Sequence, residues 1–362
     1  NLLEDPSIKK IGQNIKFDFI VFYKLGISLS SMEDTMLMSY VLDAGKNRHN
    51  MDTLSDIHLG HKTISFKEIV GTGKKEINFS EVELEAAKNY AAEDADITFR
   101  LYKKFIKSLK SEKLFNIYEI FEKPLIKILA FMEIEGVEVD SKFLNSLSSK
   151  FDKKIKKIEK EVFKISKKEF NIASPKQLGE IIYNDLKIAG TKKTKKGSFA
   201  TSASVLEDLA FKGHEFPKLV LDWRQVSKLK NTYSDALPEH INPHTKRVHT
   251  SFLLAATTTG RLASSDPNLQ NIPIKSEDGK DIRKAFKAKK DHLLVSADYN
   301  QIEMRILADL ADVKELKKAF KNNEDIHSLT ASQIFNIDIK KVNQDHRRNC
   351  LLYTSPSPRD GT

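Results

Sequence analysis

Residues 293–305, Leu293-Leu-Val-Ser-Ala-Asp-Tyr-Asn-Gln-Ile-Glu-Met-Arg305, join an apolar run to an aspartate and then to a helical pattern. The run 292–297 predicts a buried strand, and the apolar spacing that follows it predicts a helix over residues 301–311. Asp298 is therefore expected at the carboxyl end of a strand, where open α/β sheets bind their ligands. Its carboxylate is a suitable oxygen ligand for Mg²⁺.

Ordinary helix capping accounts for the polar residues of this stretch equally well. An aspartate after a strand often caps the next helix, which gives Asp298 a purely structural role. Asn300 and Glu303 match a capping box in which Asn replaces Ser. Both interpretations stay open at this point.

A polar loop precedes this stretch: Thr257-Thr-Thr-Gly-Arg-Leu-Ala-Ser-Ser-Asp-Pro-Asn-Leu-Gln-Asn-Ile-Pro273. Its small polar residues cannot form a core. Arg261 and the amides Asn268, Gln270 and Asn271 can instead donate hydrogen bonds to phosphates, sugars and base edges. The alternative is an ordinary polar surface loop.

Carboxylates of the first hundred residues suggest a second site. Asp18 lies near the start of the mainly apolar stretch 17–23, and Tyr90 precedes Asp94 by four residues, hence on one helical face. Carboxylates that folding brings together repel unless a cation bridges them. Such an arrangement supports two-metal phosphoryl chemistry, with Tyr90 orienting a water. The alternative is that Asp94 caps a helix and Tyr90 lies at the rim of a core.

The hydrophobic pattern divides the chain into an α/β region, a helical region and a second α/β region. Strands are expected at 17–23, 63–69 and 247–256, and helices at 82–90 and 94–109.

The helical region contains a lysine-rich amphipathic segment, 141–168, with ten lysines against three acidic residues. Asp140 suits its N-cap. Its narrow apolar seam predicts docking on one other helix, and residues 117–132, kinked at Pro124, are the expected partner. The seam consists of Leu144, Leu147, Phe151, Ile155, Ile158, Val162 and Ile165.

A basic tip follows this helix. Ser174-Pro175 marks the start of a helix that extends to about residue 186, and residues 191–197 form a basic loop. A helical arm with a basic tip suits a clamp on the DNA backbone, whereas a solvated helix face with a flexible loop explains the same charges.

Composition narrows the class of protein. The 362 residues are 40% hydrophobic and 30% charged, which excludes a disordered polyelectrolyte. The single cysteine, Cys350, excludes a disulfide framework. The net charge of +10 suits a polyanionic partner, although it also fits a preference for lysine on solvated faces. Without a secretory signal or an apolar run of about 20 residues, we expect a cytoplasmic protein with no membrane partner.

Several of these stretches, in order, resemble motifs of the family A DNA polymerases. Residues 12–18 and 90–96 resemble the second and third motifs of the family's 3′→5′ proofreading exonuclease domain. Residues 259–273 resemble its primer–template loop, and residues 298–305 resemble its first polymerase motif. The likeness runs from about residue 1 to about residue 349. The matching stretches are residues 12–18, 90–96, 228–233, 247–250, 259–273 and 298–305.

The resemblance implies an α/β multidomain fold. Residues 1–110 would be a ribonuclease H-like exonuclease domain, truncated at its N-terminus. Residues 111–245 would form a linker and a helical thumb with an antiparallel coiled coil. Residues 246–349 would form a partial palm and the start of the fingers, and residues 350–362 a non-native tail.

The resemblance also implies roles for single residues, with two Mg²⁺ ions per active site. Its partners would be primer–template DNA and deoxynucleoside triphosphates, and the protein would be a monomer associated with the bacterial nucleoid. Metal would be held by Asp298 and the Tyr299 carbonyl in one site and by Asp18 and Asp94 in the other, where Tyr90 orients water. The incoming nucleotide would contact Gln301, Glu303, His327 and Arg347, and DNA would contact Lys228, Arg261, Asn268, Gln270 and Asn271.

The chain departs from the family pattern at both ends. The first exonuclease motif, Asp-x-Glu, and the later palm carboxylate are absent, and Leu351 stands where the triphosphate-binding lysine is expected. We therefore expect a fragment of a DNA polymerase that is impaired or only binds DNA. The alternatives are a stand-alone 3′→5′ exonuclease with a helical nucleic-acid-binding extension and a non-enzymatic DNA-binding module.

Overall fold

The computed structural model describes residues 2–188, 199–274, 276–343 and 346. The chain divides into two compact units, Asn1–Leu293 and Leu294–Thr362. The basic loop 191–197, Arg347 and the tail 350–362 of the sequence analysis lie outside the described residues.

The N-terminal region of unit 1, residues 2–135, surrounds a short parallel pair of strands in which Lys10 pairs with Met32 and Gly12 with Asp34. Long and short helices enclose this pair. The elements are β1 (Lys10–Gly12), α1 (Ile15–Lys24), β2 (Met32–Asp34), α2 (Thr35–Asp43), α3 (Met51–Leu59), α4 (Phe66–Val70), α5 (Leu84–Ser111), α6 (Phe115–Ile117) and α7 (Lys123–Glu135), with a π-helical segment at Tyr118–Glu122 and 3₁₀ turns at Gly73–Lys75 and Phe79–Glu81.

Both strands expected in this region are wrong. Residues 17–23 lie in helix α1, where Ile15 and Phe19 are buried one turn apart while Phe17 is 67% exposed. Residues 63–69 run into α4, whose N-cap Ser65 accepts the Glu68 N–H. A short apolar run fits the periodicity of a helix as well as that of a strand. Tertiary packing, which the sequence does not display, therefore decides which of the two forms.

Helix α5 confirms that residues 82–90 and 94–109 are mainly helical, but these two predicted helices form one continuous helix. Its core face consists of Ile97, Leu101, Phe105 and Leu109. Asp94 lies inside α5, so the interpretation of Asp94 as a helix cap is wrong.

Asp34 caps two helices with one buried carboxylate. Its Oδ1 accepts the N–H groups of Met36 and Leu37 at the start of α2, at 2.8 and 3.4 Å. The same oxygen accepts Asn14 N–H at 3.1 Å, and Oδ2 accepts Ile15 N–H at 3.0 Å, at the start of α1. Four backbone donors that a helix start leaves unpaired therefore converge on one side chain.

The helical arm of unit 1 begins with the lysine-rich helix. Asp140 Oδ1 accepts the Phe143 N–H at 2.9 Å, which confirms the predicted N-cap. Five of the seven predicted seam residues are buried, and Ile155 and Ile165 are half-buried. The elements are α8 (Ser141–Ser166), α9 (Pro175–Glu180), α10 (Ala203–Phe211), α11 (Glu215–Leu229) and α12 (Ala236–Glu239), with π-helical segments at Ile181–Asp185 and Lys230–Asp235.

The partner of α8 differs from the prediction. Trp223 Nε1 donates to Glu159 at 3.0 Å, and Ser148 Oγ donates to Asp235 at 2.6 Å. These contacts align α8 antiparallel to α11 and the segment after it. The predicted partner, residues 117–132, packs on α1 instead, because α7 directs Ile126, Leu129 and Ala130 into the N-terminal core.

Two small sheets complete unit 1, and helix α13 (Glu277–Arg283) packs against α8. Strands β4, β3 and β7 form an antiparallel sheet in that order, and β5 pairs with β6 as a hairpin. The strand expected at 247–256 is thus two short strands in different sheets. The strands are β3 (Val137–Val139), β4 (Arg247–Val248), β5 (Ser251–Leu253), β6 (Ala263–Ser265) and β7 (Phe286–Lys287).

Unit 2 contains α14 (Ile302–Leu310), α15 (Lys314–Lys321) and α16 (Ile326–Phe335), followed by a 3₁₀ turn at Ile339–Lys341. Helix α14 confirms the helix predicted over 301–311.

Two other predictions next to α14 are wrong. Leu293 and Val295 are each 88% exposed, and no described residue pairs with 292–297 as a strand. An apolar run becomes a strand only when a neighbouring strand takes up its backbone hydrogen bonds. The capping box is also absent, since the N-cap is Gln301, whose side chain makes no cap hydrogen bond.

None of the described helices combines the length and the apolar character that crossing a bilayer requires.

We predict that Asp34 makes the stability of the N-terminal region depend on pH. Burial raises the pKa of Asp34 to about 6, above its usual value, so its contribution is full below pH 4 and declines as the pH rises through 6. The difference in unfolding free energy between wild type and Asp34→Asn should therefore fall by about 2–3 kcal/mol from pH 4 to pH 7. Urea unfolding of both proteins across this range measures it, and a constant difference contradicts the assignment.

Candidate functional site

One cavity of about 550 Å³ brings together the predicted residues of the N-terminal region. Asp18 reaches it from α1, and Tyr90 and Asp94 reach it from successive turns of α5. The Asp34 cap fixes the start of α1 and thereby the direction of Asp18. Further lining residues include Lys10, Gln13, Met51, Ala95 and Thr98.

Burial makes the negative charge at this cavity costly. It raises the pKa of Asp18 and of Asp94. The nearby Tyr90 hydroxyl opposes this rise in the pKa of Asp94, while the charges of Glu93 and Asp52 add to it. Burial and the charge of Asp94 raise the pKa of Tyr90 to about 12, so its phenol stays protonated at neutral pH.

A divalent cation fits this donor set. Asp94 Oδ1 is buried and, in the part of the chain that the structure describes, accepts no hydrogen bond. A buried carboxylate oxygen without a donor is destabilising, and a hard cation relieves that cost. Among the described residues no group of three or more His, Cys, Asp or Glu side chains gathers to hold a metal. Asp18 and Asp94 could therefore supply only part of a coordination shell.

The β5–β6 hairpin carries the polar loop. Arg261, Asn268, Gln270 and Asn271 are all exposed. Asn268 Oδ1 accepts the Gln270 N–H at 3.0 Å. The side chains thus lie on an ordered backbone and face solvent.

The helical arm also contacts this loop. The Tyr233 hydroxyl, from the segment after α11, donates to the Asn271 carbonyl at 2.5 Å. Lys228 is exposed on the last turn of α11. Unit 1 therefore presents the predicted DNA-contacting residues on the loop and on the helix next to it.

In unit 2, Asp298 and Tyr299 are exposed on chain without regular structure. Gln301 Nε2 donates to Asp325 Oδ1 at 3.4 Å, and the His327 N–H donates to the same oxygen at 3.3 Å. Asp325, the N-cap of α16, therefore brings Gln301 and His327 together. Glu303 lies in the first turn of α14.

Sequence analysis missed one residue of this region. The Arg305 guanidinium lies 4.4 Å from the centre of the Phe320 ring and lines a 270 Å³ cavity with Gln301 and Asp325. Arg305 follows Gln301, the N-cap of α14, by four residues, a spacing that could have identified it.

Comparison with known proteins identifies the family of the chain. Residues 1–110 match the family model for a 3′-5′ exonuclease, and residues 141–350 match the model for DNA polymerase family A. The class is therefore a polymerase-type chain preceded by an exonuclease-type domain. The chain belongs to DNA polymerase family A.

Relatives and a solved structure give the extent of the likeness. The chain is 48% identical over 347 residues to DNA polymerase I of Rhizobium leguminosarum, covering 96% of this chain and 34% of the relative. It is 44% identical over 352 residues to DNA polymerase I of Pseudomonas aeruginosa, covering 96% of this chain and 39% of the relative. It thus spans little more than a third of the length of these relatives.

A solved structure is similar over nearly the whole chain. It is described as the POL domain of Pol1 from M. smegmatis in complex with DNA primer-template and dNTP. The two share 31% identity with a TM-score of 0.82, over 97% of this chain and 58% of the other.

We predict that Asp94→Asn weakens divalent-metal binding at the cavity by about tenfold or more, since even changes next to metal ligands cost that much. Titration calorimetry with Mn²⁺ measures the affinity. Asp96→Asn is the matched control, because Asp96 lies on the same helix but is exposed and paired with Arg100. Equal affinities of the Asp94 variant and wild type contradict the assignment.

Proposed function

We propose that the chain provides the 3′→5′ proofreading domain, the thumb and part of the palm of a DNA polymerase that extends a primer by two-metal phosphoryl transfer. The exonuclease domain, ribonuclease H-like in fold, corresponds to residues 1–110. The linker and thumb correspond to residues 111–245, and the palm with the start of the fingers to residues 246–349. The observation that carries this proposal is the meeting of Asp18, Tyr90 and Asp94 at one cavity.

In the exonuclease site, Asp18 and Asp94 would hold Mg²⁺, and up to two ions would be bound once further ligands complete the shell. Bound Mg²⁺ supplies charge stabilisation to the phosphate oxygens. Tyr90 keeps its proton, donates to Asp94 and leaves its oxygen to accept a hydrogen bond from the attacking water. The two carboxylates at the cavity favour the cation and would hold it near the scissile phosphate.

In the polymerase site, Asp298 and the Tyr299 carbonyl would hold Mg²⁺, again as part of a two-ion shell. Gln301 and Glu303 shape the sugar pocket, and His327, with Arg347, contacts the triphosphate. The primer 3′-hydroxyl attacks the α-phosphate and pyrophosphate leaves. The exposure of Asp298 and the junction of Gln301 with His327 at Asp325 are consistent with these roles.

DNA would be held mainly through its backbone and minor groove. Arg261, Asn268, Gln270 and Asn271 donate to minor-groove acceptors that A·T and T·A pairs share, which suits an enzyme that copies every sequence. Lys228 and the lysines of α8 neutralise phosphates. The solved relative is described with primer-template and dNTP, which supports the same partners here. We further propose a monomer that acts on the bacterial nucleoid in the cytoplasm.

A DNA-binding chain with little turnover is the second candidate. It is favoured by the exonuclease cavity, where the described residues bring only Asp18 and Asp94 together as metal-binding carboxylates. A stand-alone exonuclease gains nothing from the loop at 257–273 or from Asp298. DNA binding without Mg²⁺-dependent turnover would favour the second candidate over the first.

We predict that Asp298→Ala, in a full-length polymerase that contains this chain, reduces primer extension by about a thousandfold or more, because the metal's charge stabilisation is lost. Exonuclease activity on single-stranded DNA should persist. Primer-extension and degradation assays measure the two activities. Asp309→Ala is the matched control, since Asp309 is exposed on α14 and its ion pair among the described residues is with Lys317. Loss of both activities together would mean that the two sites are not separable.

We predict that the exposed lysines of α8 set the salt dependence of DNA binding. Replacing Lys157, Lys160 and Lys164 together by Gln should reduce the slope of log K against log salt by about three, one for each lost phosphate contact. Lys150→Gln should leave the slope unchanged, because Lys150 already pairs with Asp281 at 2.8 Å. Fluorescence anisotropy with labelled primer–template measures the slope, and equal slopes for all three proteins refute the assignment.

A further inference from the structure

We infer that the N-terminal region sets the position of the β5–β6 hairpin, so that Tyr40 and Glu133 are positioning residues for primer–template binding. The inference rests on the proposed role of the loop that this hairpin carries. Tyr40 and Glu133 lie outside both candidate sites and would contribute to DNA binding without contacting DNA.

A buried ion pair joins α1 to the hairpin. Lys16 Nζ contacts the Glu133 carboxylate, and the two side chains are only 8% and 9% exposed. The same Glu133 oxygen accepts the Phe252 N–H of β5 at 2.6 Å. The carbonyl of Glu133 accepts a hydrogen bond from His249 Nδ1 at 2.7 Å. A buried carboxylate that lost either donor would be left undercompensated, so this junction resists displacement.

Apolar packing joins the same elements. Leu254, directly after β5, is buried in the core that also contains Ile15 and Phe19 of α1. Phe252 and Leu262 pack against that core from the two sides of the loop. The hairpin therefore shares the core of the N-terminal region and not that of the arm.

The tip of the loop makes a third contact. The Gly260 N–H donates to the Tyr40 hydroxyl at 3.0 Å, and the Tyr40 side chain is buried on α2. Gly260 has a φ of 76°, and Arg261 follows it directly. Close by, a Cβ on Gly45 would lie 2.8 Å from the Thr258 methyl. The backbone that precedes Arg261 is thus held against α2 and the turn after it.

These contacts tie the hairpin to the helix that carries Asp18. Lys16 and Asp18 lie two residues apart on α1, so the candidate exonuclease carboxylate and the ion pair share one rigid element. A loop held at its strand, its core and its tip loses less conformational entropy when it binds DNA. Primer–template affinity should therefore depend on residues of the N-terminal region that do not touch DNA.

The test is Tyr40→Phe in the complete 362-residue chain, which removes only the hydroxyl that accepts the Gly260 N–H. We expect primer–template binding to weaken about three- to tenfold, binding of a single-stranded oligonucleotide to stay unchanged, and the Gly260 amide to exchange its hydrogen faster. Tyr102→Phe is the matched control, because Tyr102 packs against the same core and its hydroxyl, among the described residues, contacts Lys9 and no part of the hairpin. Fluorescence anisotropy and hydrogen-exchange mass spectrometry measure these effects.

The outcomes separate this inference from the proposed function. If wild type does not bind primer–template, the proposed function fails. If wild type binds and Tyr40→Phe binds equally well, the positioning role is refuted. Equal weakening for duplex and single-stranded DNA also refutes it, because a general loss of structure would act on both. Selective weakening with faster Gly260 exchange supports it.

Discussion

The position of the exonuclease cavity depends on a single buried carboxylate, Asp34. Removing that side chain from water is costly, and four backbone N–H groups offset the cost. Because those donors belong to the starts of both α1 and α2, the carboxylate fixes the two helices relative to each other and to β2. Asp18 and Lys16 both lie on α1, so the direction of one helix determines where a candidate metal ligand and a buried ion pair lie.

Unit 1 is organised around two cores that do not follow the chain in simple order. One contains α1, α5 and α7 but also Leu254, which lies far along the chain. The other contains α8 and α11 together with Val248 and Ile282. The junctions at Glu133 and Tyr40 reinforce this arrangement with hydrogen bonds. The β5–β6 hairpin therefore stands on the core of the exonuclease-type region, although the family model for the polymerase covers it.

The helices could be predicted from the sequence where their apolar spacing was long, as in α5 and α8, or where a cap was strong, as at Asp140. The short elements could not. Residues 17–23 fit a strand and a helix equally well, and the choice was made by the Asp34 cap, which is a long-range contact. The run 292–297 has the composition of a strand but no strand partner among the described residues. The meeting of Asp18 with Tyr90 and Asp94 followed from motif resemblance, since spacing alone does not bring distant segments together. Glu133 and Tyr40 carry no motif, and only their burial and partners identify them.

Helix α8 does not present its lysines evenly. Near its middle, Lys150 and Lys154 pair with Asp281 and Asp278 of α13, at 2.8 and 2.5 Å. Farther along, Lys157, Lys160 and Lys164 are exposed and form no ion pair among the described residues, so their positive charges are not neutralised by a neighbouring carboxylate. Opposite charges interact over about 8–10 Å at ordinary ionic strength. A polyanion near the arm would therefore be attracted more strongly to the part of α8 with unpaired lysines than to the part beside α13, which gives the arm an electrical polarity as well as a shape.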